Sequence, residues 1–309
     1  MKSVLITGIG GDIAQGVVTI IRERRPELRL IGVDMHEQHG GALFVDEFVK
    51  VPPAAAPEYL ETIRSVLVSR SVDALIPMSE PELGVMAPLI HELGDNRCIT
   101  SGKKVVAAGI DKLATIDALR NFGLPVPWTF PVSEELPSEY PCILKNRFGS
   151  GSRAVFSVMD NAEAAYLARK YPDAVFQEML EPAEREVTCA VYRRRDGAVA
   201  SLLMLRRLAG GFTSWAKVIR DEATARMCQM IAEGLDLRGS MNIQLRLTDK
   251  GPRVFEINPR FSSTVLMRHR IGFSDVLWAL EEAEGKSVVF PEIPQDRVMV
   301  RVQGATVSF

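Results

Sequence analysis

The stretch Val254-Phe255-Glu256-Ile257-Asn258-Pro259-Arg260 decides how this chain is read. Side chains alternate along a strand, so Glu256 and Asn258 share one face. The run Met241 to Leu247 precedes it across a turn at Asp249-Lys250-Gly251, a hairpin that brings Gln244 onto the same patch. Carboxylate and amide oxygens of this kind suit a hard cation such as magnesium, which shares its coordination sphere with phosphate oxygens and water. Arg260, just beyond, is placed to neutralise a phosphate. The plain alternative is an exposed hairpin whose polar face meets water.

Working back along the chain, two lysines add to the patch. Lys112 opens a helix read from Asp111 to Phe122, which stops at Gly123-Leu124-Pro125-Val126-Pro127 because proline cannot extend it. Lys145 ends the extended segment from Pro141, and Ala154 to Val158 is a second extended segment close behind it. Two strands joined this closely form an antiparallel hairpin. Between them, Gly149-Ser150-Gly151-Ser152 has the composition of a loop that folds backbone N–H groups over phosphates. A helix over Asp160 to Lys170, a strand over Ala174 to Leu180, a hairpin over Glu186 to Leu205 turning at Asp196-Gly197, and a helix over Asp221 to Gly234 complete an α+β region.

Taken in order, these features resemble the ATP-grasp superfamily, in particular its branch similar to the carbamoyl-phosphate synthase large subunit and the carboxylate-amine ligases. The resemblance rests on Asp111-Lys112, Lys145 with the glycine-rich loop, Gln177-Glu178-Met179-Leu180, Glu186, Gln244 and Glu256 to Arg260. It implies that Lys112 and Lys145 bind ATP phosphates under the Gly149, Ser150, Gly151, Ser152 loop. It implies that Gln177, Glu178, Met179 and Leu180 meet the adenine, with Glu186 near the ribose. Gln244, Glu256 and Asn258 would hold two magnesium ions, which manganese can replace, and Arg260 with Lys145 would act on the transferred phosphoryl group. The implied reaction joins a small carboxylic acid to an amine through an acyl phosphate, with carboxylate or carbamate phosphorylation without ligation as the alternative. The segment Arg206 to Trp215 matches no substrate motif.

Upstream of residue 102 the pattern is strand and helix in alternation, which implies a parallel sheet covered by helices. Strands are read at 3–7, 29–34 and 73–77, helices at 12–24, 57–70 and 81–93, and a short strand near Cys98. This part looks like the domain that precedes the ATP-grasp fold, a Rossmann-like parallel sheet. The expected division is therefore 1–102 and 103–309, the latter as a lid subdomain over 113–178 and a metal-binding subdomain over 179–309. The turn Val4 to Gly16, VLITGIGGDIAQG, reads as a strand, a glycine turn and a helix start suited to an anion. Gly10 and Gly11 are thus candidates for substrate contact, with Ser79, Glu80 and Arg268 as further candidates.

Composition narrows the classes. With 37 basic and 39 acidic residues there is no global field to attract nucleic acid or an anionic membrane, so small-molecule carboxylate and amine partners are expected. The four cysteines, Cys98, Cys142, Cys189 and Cys228, form no CxxC pair and read as buried thiols of a cytoplasmic protein. A homodimer is the default expectation for such an enzyme. A rival reading, a nicotinamide-dependent oxidoreductase, has Gly8 to Gly11, Asp34 and the Tyr166-to-Lys170 spacing in its favour. Ile13 stands where the last glycine of GxGxxG belongs, and Tyr166 lies behind the lysine hairpin rather than in a continuing parallel sheet. A third reading, a binding module that lost catalysis, would have shed some of Lys112, Lys145, Glu256, Asn258 and Arg260.

Overall fold

The computed structural model describes residues 1–94, 96–149 and 155–302. Its first sheet has the parallel strands β1 (Ser3–Ile6), β2 (Arg29–Asp34), β3 (Glu47–Lys50) and β4 (Ala74–Ile76) in the order β3-β2-β1-β4. Helix α1 (Asp12–Arg24) buries Val17, Val18, Ile20 and Ile21, the spacing of one apolar face. Helix α2 (Tyr59–Ser69) follows β3. The helix read over 81–93 is two helices, α3 (Glu80–Val85) and α4 (Ala87–Leu93), meeting at Met86. Pro88 causes the break, because it has no N–H to give the carbonyl four residues back. The segment near Cys98 makes a single parallel bridge to Leu75.

Two more helices, α5 (Lys103–Gly109) and α6 (Lys112–Asn121), lead into an antiparallel sheet in the order β5-β8-β6-β7. Its strands are β5 (Thr129–Pro131), β6 (Cys142–Asn146), β7 (Val155–Val158) and β8 (Ala174–Glu178), with α7 (Asn161–Lys170) between the last two. Cys142, Leu144, Val158, Ala164 and Phe176 form its own small core. Helix α6, at the start of the expected 113–178 lid, buries Leu119 in the core of the following sheet with Cys189, Cys228 and Ile243. An apolar helix face goes to the larger core, so the small sheet begins after the Gly123 to Pro127 turn.

The third sheet has the order β13-β12-β9-β10-β11-β14. Its strands are β9 (Glu186–Arg193), β10 (Val199–Ala209), β11 (Phe212–Val218), β12 (Gly239–Thr248), β13 (Gly251–Asn258) and β14 (Val298–Val300), and helices α8 (Glu222–Gly234), α9 (Val265–Arg270) and α10 (Asp275–Ala283) accompany it. Strand β11 lies in the segment where no motif was legible. The largest core joins Val4, Ile6 and the α1 face to Tyr192, Met204 and Trp278, so the first and third sheets share one apolar interior. Gly16 makes this possible: a Cβ there would stand 3.0 Å from Val265 Cγ1 on α9. All four cysteines are buried, and none is in a disulfide.

Candidate active site

Strands β12 and β13 pair Gln244 with Glu256 and Asn242 with Asn258, and the register slips between Gln244 and Leu245. The slip leaves Phe255 as a bulged residue without a cross-strand partner. Its carbonyl accepts a hydrogen bond from Lys145 Nζ at 3.1 Å. A lysine on the small sheet is thereby drawn onto the third sheet. Gln244, Glu256, Asn258, Arg260, Lys145 and Lys112 all line one cavity of about 940 Å³.

Lys145 is 5% exposed. Burial pulls its ammonium down to about 8, against the opposing pull of Glu256. Below that value the charge is present and can meet a phosphate; above it the charge is lost. The kcat/KM for ATP is therefore expected to fall as pH rises through about 8, and Lys145→Arg, which keeps its charge, should flatten that limb of the profile. An unchanged alkaline limb in Lys145→Arg would assign the titration elsewhere.

Lys112 Nζ donates to the Gly149 carbonyl at 2.8 Å, so it tethers the start of the glycine loop. Asp111 caps α6 at Leu113 N–H and takes a forked pair from Arg147, Nε to Oδ1 at 2.9 Å and Nη2 to Oδ2 at 2.6 Å. That carboxylate fixes the lid hairpin to the helix bearing Lys112. Ser150, Gly151 and Ser152 lie outside the described residues.

Arg260 Nη2 donates to Glu80 Oε1 at 3.0 Å and Asn258 Oδ1 at 3.4 Å, and Nη1 to the Phe261 carbonyl at 3.1 Å. Glu80, read above as a substrate contact, is instead the buried counter-ion of Arg260. Burial pushes its carboxyl up, and Arg260 pulls it back. The donor set for a cation is one carboxylate, Glu256, with the amides of Asn258 and Gln244. Among the described residues no group of three His, Cys, Asp or Glu could hold a metal alone. A set with so little charge fits magnesium that arrives with nucleotide phosphates, and does not fit a tightly held structural metal. Asn258 Nδ2 is buried without a partner. Gln244 Oε1 already accepts from Arg206 Nη2 at 2.9 Å, which reduces its capacity as a ligand.

The residues expected around adenine and ribose are tied into the fold and none lines the cavity. Gln177 Nε2 donates to Thr129 Oγ1, and Glu178 Oε2 accepts from Trp128 N–H at 3.3 Å and Arg253 Nη1 at 3.5 Å. The Leu180 carbonyl accepts from Arg246, and Glu186 is clasped by Arg206 and Arg246 at 2.7 and 2.5 Å. Met179 follows Glu178 on the chain joining the two sheets. Together these groups make a polar seam between the small and third sheets. Arg206, which lines the cavity, was missed because the 206–215 segment carries no familiar pattern.

Three N–H groups of the glycine turn are held inside the fold. Ile9 N–H bonds to the Val33 carbonyl, Gly11 N–H to the Gly8 carbonyl, and Gly10 N–H to Asp34 Oδ2 at 2.9 Å. Gly8, at φ +57°, takes the left-handed conformation that closes this turn. Gly10 and Gly11 still line the cavity, as backbone wall. Arg268, expected at the substrate, is 1% exposed, has its guanidinium bonded to Asp275, Ser262 and Thr264, and does not line the cavity. Ser79 does line the cavity, but its hydroxyl donates to Glu82 Oε2 at 2.6 Å. Glu82, which also accepts from Thr7 and Tyr59 hydroxyls at 2.7 and 2.8 Å, was missed, although the Ser79-x-x-Glu82 spacing of a capping box is a signal that could have found it.

Comparison with known proteins follows this geometry. The family model described as ATP-grasp domain matches residues 110–264, and that described as PylC-like, N-terminal domain matches residues 4–99. A search of curated protein sequences returns no match. Among solved structures, N5-carboxyaminoimidazole ribonucleotide synthetase from Thermotoga maritima is 18% identical, with a TM-score of 0.73 over 98% of this chain and 81% of that one. L-amino acid ligase from Bacillus licheniformis is 18% identical, with a TM-score of 0.74 over 92% and 74%. Biotin carboxylase from Campylobacter jejuni is 15% identical, with a TM-score of 0.70 over 93% and 72%. At these identities the likeness is one of fold.

Proposed function

Because this chain belongs to the ATP-grasp family, we propose that it is an ATP- and magnesium-dependent ligase joining a small carboxylic acid to an amine through an acyl phosphate. The observation that carries the reading is the gathering of Lys112, Lys145, Glu256, Asn258 and Arg260 around one cavity. That set matches phosphoryl transfer, which needs positioned charge more than covalent help from the protein.

The substrate carboxylate attacks the γ-phosphorus of ATP, the bond to the β-phosphate oxygen breaks, and ADP leaves. Lys145 and Arg260 face the negative charge that spreads over the transferred group, while Lys112 holds the Gly149 carbonyl. Glu256 and Asn258 would hold magnesium, which would supply positive charge to offset that of the phosphates. The amine nitrogen then attacks the acyl carbon, phosphate leaves with the bonding electrons, and the proton from nitrogen passes to solvent.

Supplied with matched acid and amine, the protein should release ADP and phosphate in equal amounts with the amide, and chelation of magnesium should stop all three. Nicotinamide reduction without ATP turnover would overturn the reading. Among the described residues no helix is long and apolar enough to cross a membrane.

A further inference from the structure

The first-sheet wall of the cavity and the β10–β11 hairpin carry a chemical signature of their own. Every lysine and arginine among the described lining residues, Lys112, Lys145, Arg206 and Arg260, comes from the later part of the chain. The first-sheet wall contributes the carboxylates Asp34 and Glu82, with His36 and His39 as its nitrogen bases. Within its glycine turn the Ile9, Gly10 and Gly11 N–H groups are bonded internally. Asp34 accepts from the backbone N–H groups of Gly10 and His36, each at 2.9 Å, and these fix the carboxylate at the cavity surface. A phosphate placed here would meet two carboxylates and no compensating lysine or arginine. An ammonium would meet a fixed counter-charge.

The same region is apolar between its charges. Pro52, Pro53 and Ala54 line it from the first-sheet side, and Leu208 and Phe212 from the hairpin. Leu208 and Phe212 are 45% and 43% exposed, which is a large apolar surface to leave at a cavity mouth. Phe212 is held firmly for an exposed ring. The Arg301 guanidinium lies 5.8 Å from the ring centre, donates to the Thr213 carbonyl at 3.0 Å and to Asp12 at 2.6 Å, and also bonds the Ser263 carbonyl. One side chain thus fixes the hairpin, the start of α1 and the loop that follows Arg260. A rigid apolar wall next to the phosphoryl-transfer residues is built for a side chain.

We infer that the acid substrate is an unphosphorylated amino acid with a bulky apolar side chain, its ammonium toward Asp34, its side chain against Phe212 and the Pro52 to Ala54 segment, and its carboxylate presented for phosphorylation. The inference rests on the ligase reading above and narrows it. With its ammonium held by Asp34, this amino acid supplies the acyl group and a separate amine attacks it.

Hydroxylamine tests this without knowledge of the natural amine, because its nitrogen attacks an acyl phosphate, expels phosphate and leaves a hydroxamate. With the full chain, Mg-ATP and hydroxylamine, leucine, phenylalanine and methionine should give hydroxamate and ADP in equal amounts. Their rates should exceed those of aspartate, serine or O-phosphoserine, each of which also carries a carboxylate, by at least about tenfold. Phe212→Ala should raise the KM for the favoured amino acid about tenfold without moving that for ATP, and Leu208→Ala should act in the same direction. Faster reaction of the polar or phosphorylated compounds overturns the inference. So does the absence of hydroxamate from every apolar amino acid while a magnesium-bound, non-hydrolysable ATP analogue still raises the Tm. If the analogue fails to bind, the ligase reading falls first and this inference with it.

Discussion

Glu256→Gln is expected to lower magnesium-dependent ADP formation by about a thousandfold while leaving the protein folded. The substitution keeps the size and planarity of the side chain, so the pairing with Gln244 on β12 survives. What it removes is the only carboxylate in a donor set otherwise made of amides. A neutral set binds magnesium weakly, and the phosphates of ATP must then supply all the negative charge around it. A second readout separates this role from a general loss of structure. Glu256 favours the charged form of Lys145, so its removal should move the alkaline limb of the pH profile below the value near 8 that Lys145 sets. Any residual turnover would therefore collapse at lower pH, while the Tm stays within a few degrees of the parent's. Normal turnover in Glu256→Gln would remove the residue from the metal site.

The sequence made the chemistry at this end of the molecule legible because it is strand chemistry. Period-two alternation put Glu256 and Asn258 on one face, and the Asp249-Lys250-Gly251 turn brought Gln244 opposite Glu256. Strands β1, β2 and β4 of the parallel first sheet were readable for a similar reason, since their apolar runs end in glycine, proline or acid, whereas β3, four residues with none fully buried, carried too short an apolar run to be read. What stayed hidden was hydrogen-bond accounting across long sequence separations. The Gly10 N–H looks open to an anion until Asp34 is found on it, 24 residues away. Glu80 looks like a substrate residue until Arg260, 180 residues on, is found paired with it. Arg206 sits in a strand whose pattern names nothing, and only the folded register brings it to Glu186 and Gln244. The draw of Lys145 onto the Phe255 carbonyl depends on a bulge, and a bulge is a register fact that a single strand's pattern does not carry.

Arg268→Met is expected to destabilise the protein by about 3–5 kcal/mol, read as a lower urea midpoint, because it strips a buried carboxylate of its counter-ion. Arg268 and Asp275 are each 1% exposed. The guanidinium donates Nε to Asp275 Oδ1 at 2.9 Å and Nη2 to Oδ2 at 2.6 Å, and its Nη1 serves the Ser262 and Thr264 hydroxyls. In the variant, Asp275 retains only Ser240 Oγ, at 2.5 Å, among the described side chains that bond it. One hydroxyl does not replace a forked cation. The pair's value lies in how it ties the fold together: Ser240 is on β12, Asp275 opens α10, and Ser262 and Thr264 belong to the loop just after Arg260. A shared ionic centre therefore sets the position of the loop that carries the phosphoryl-transfer arginine. Replacing both partners, as Arg268→Met with Asp275→Leu, should recover most of the lost stability, since an apolar pair leaves no charge to desolvate. The double variant should nonetheless remain slower than the parent, because it restores packing and leaves the Ser262 and Thr264 hydroxyls without the guanidinium that orients them. An unchanged urea midpoint in Arg268→Met, accompanied by a raised KM for the acid substrate, would return Arg268 to the substrate site.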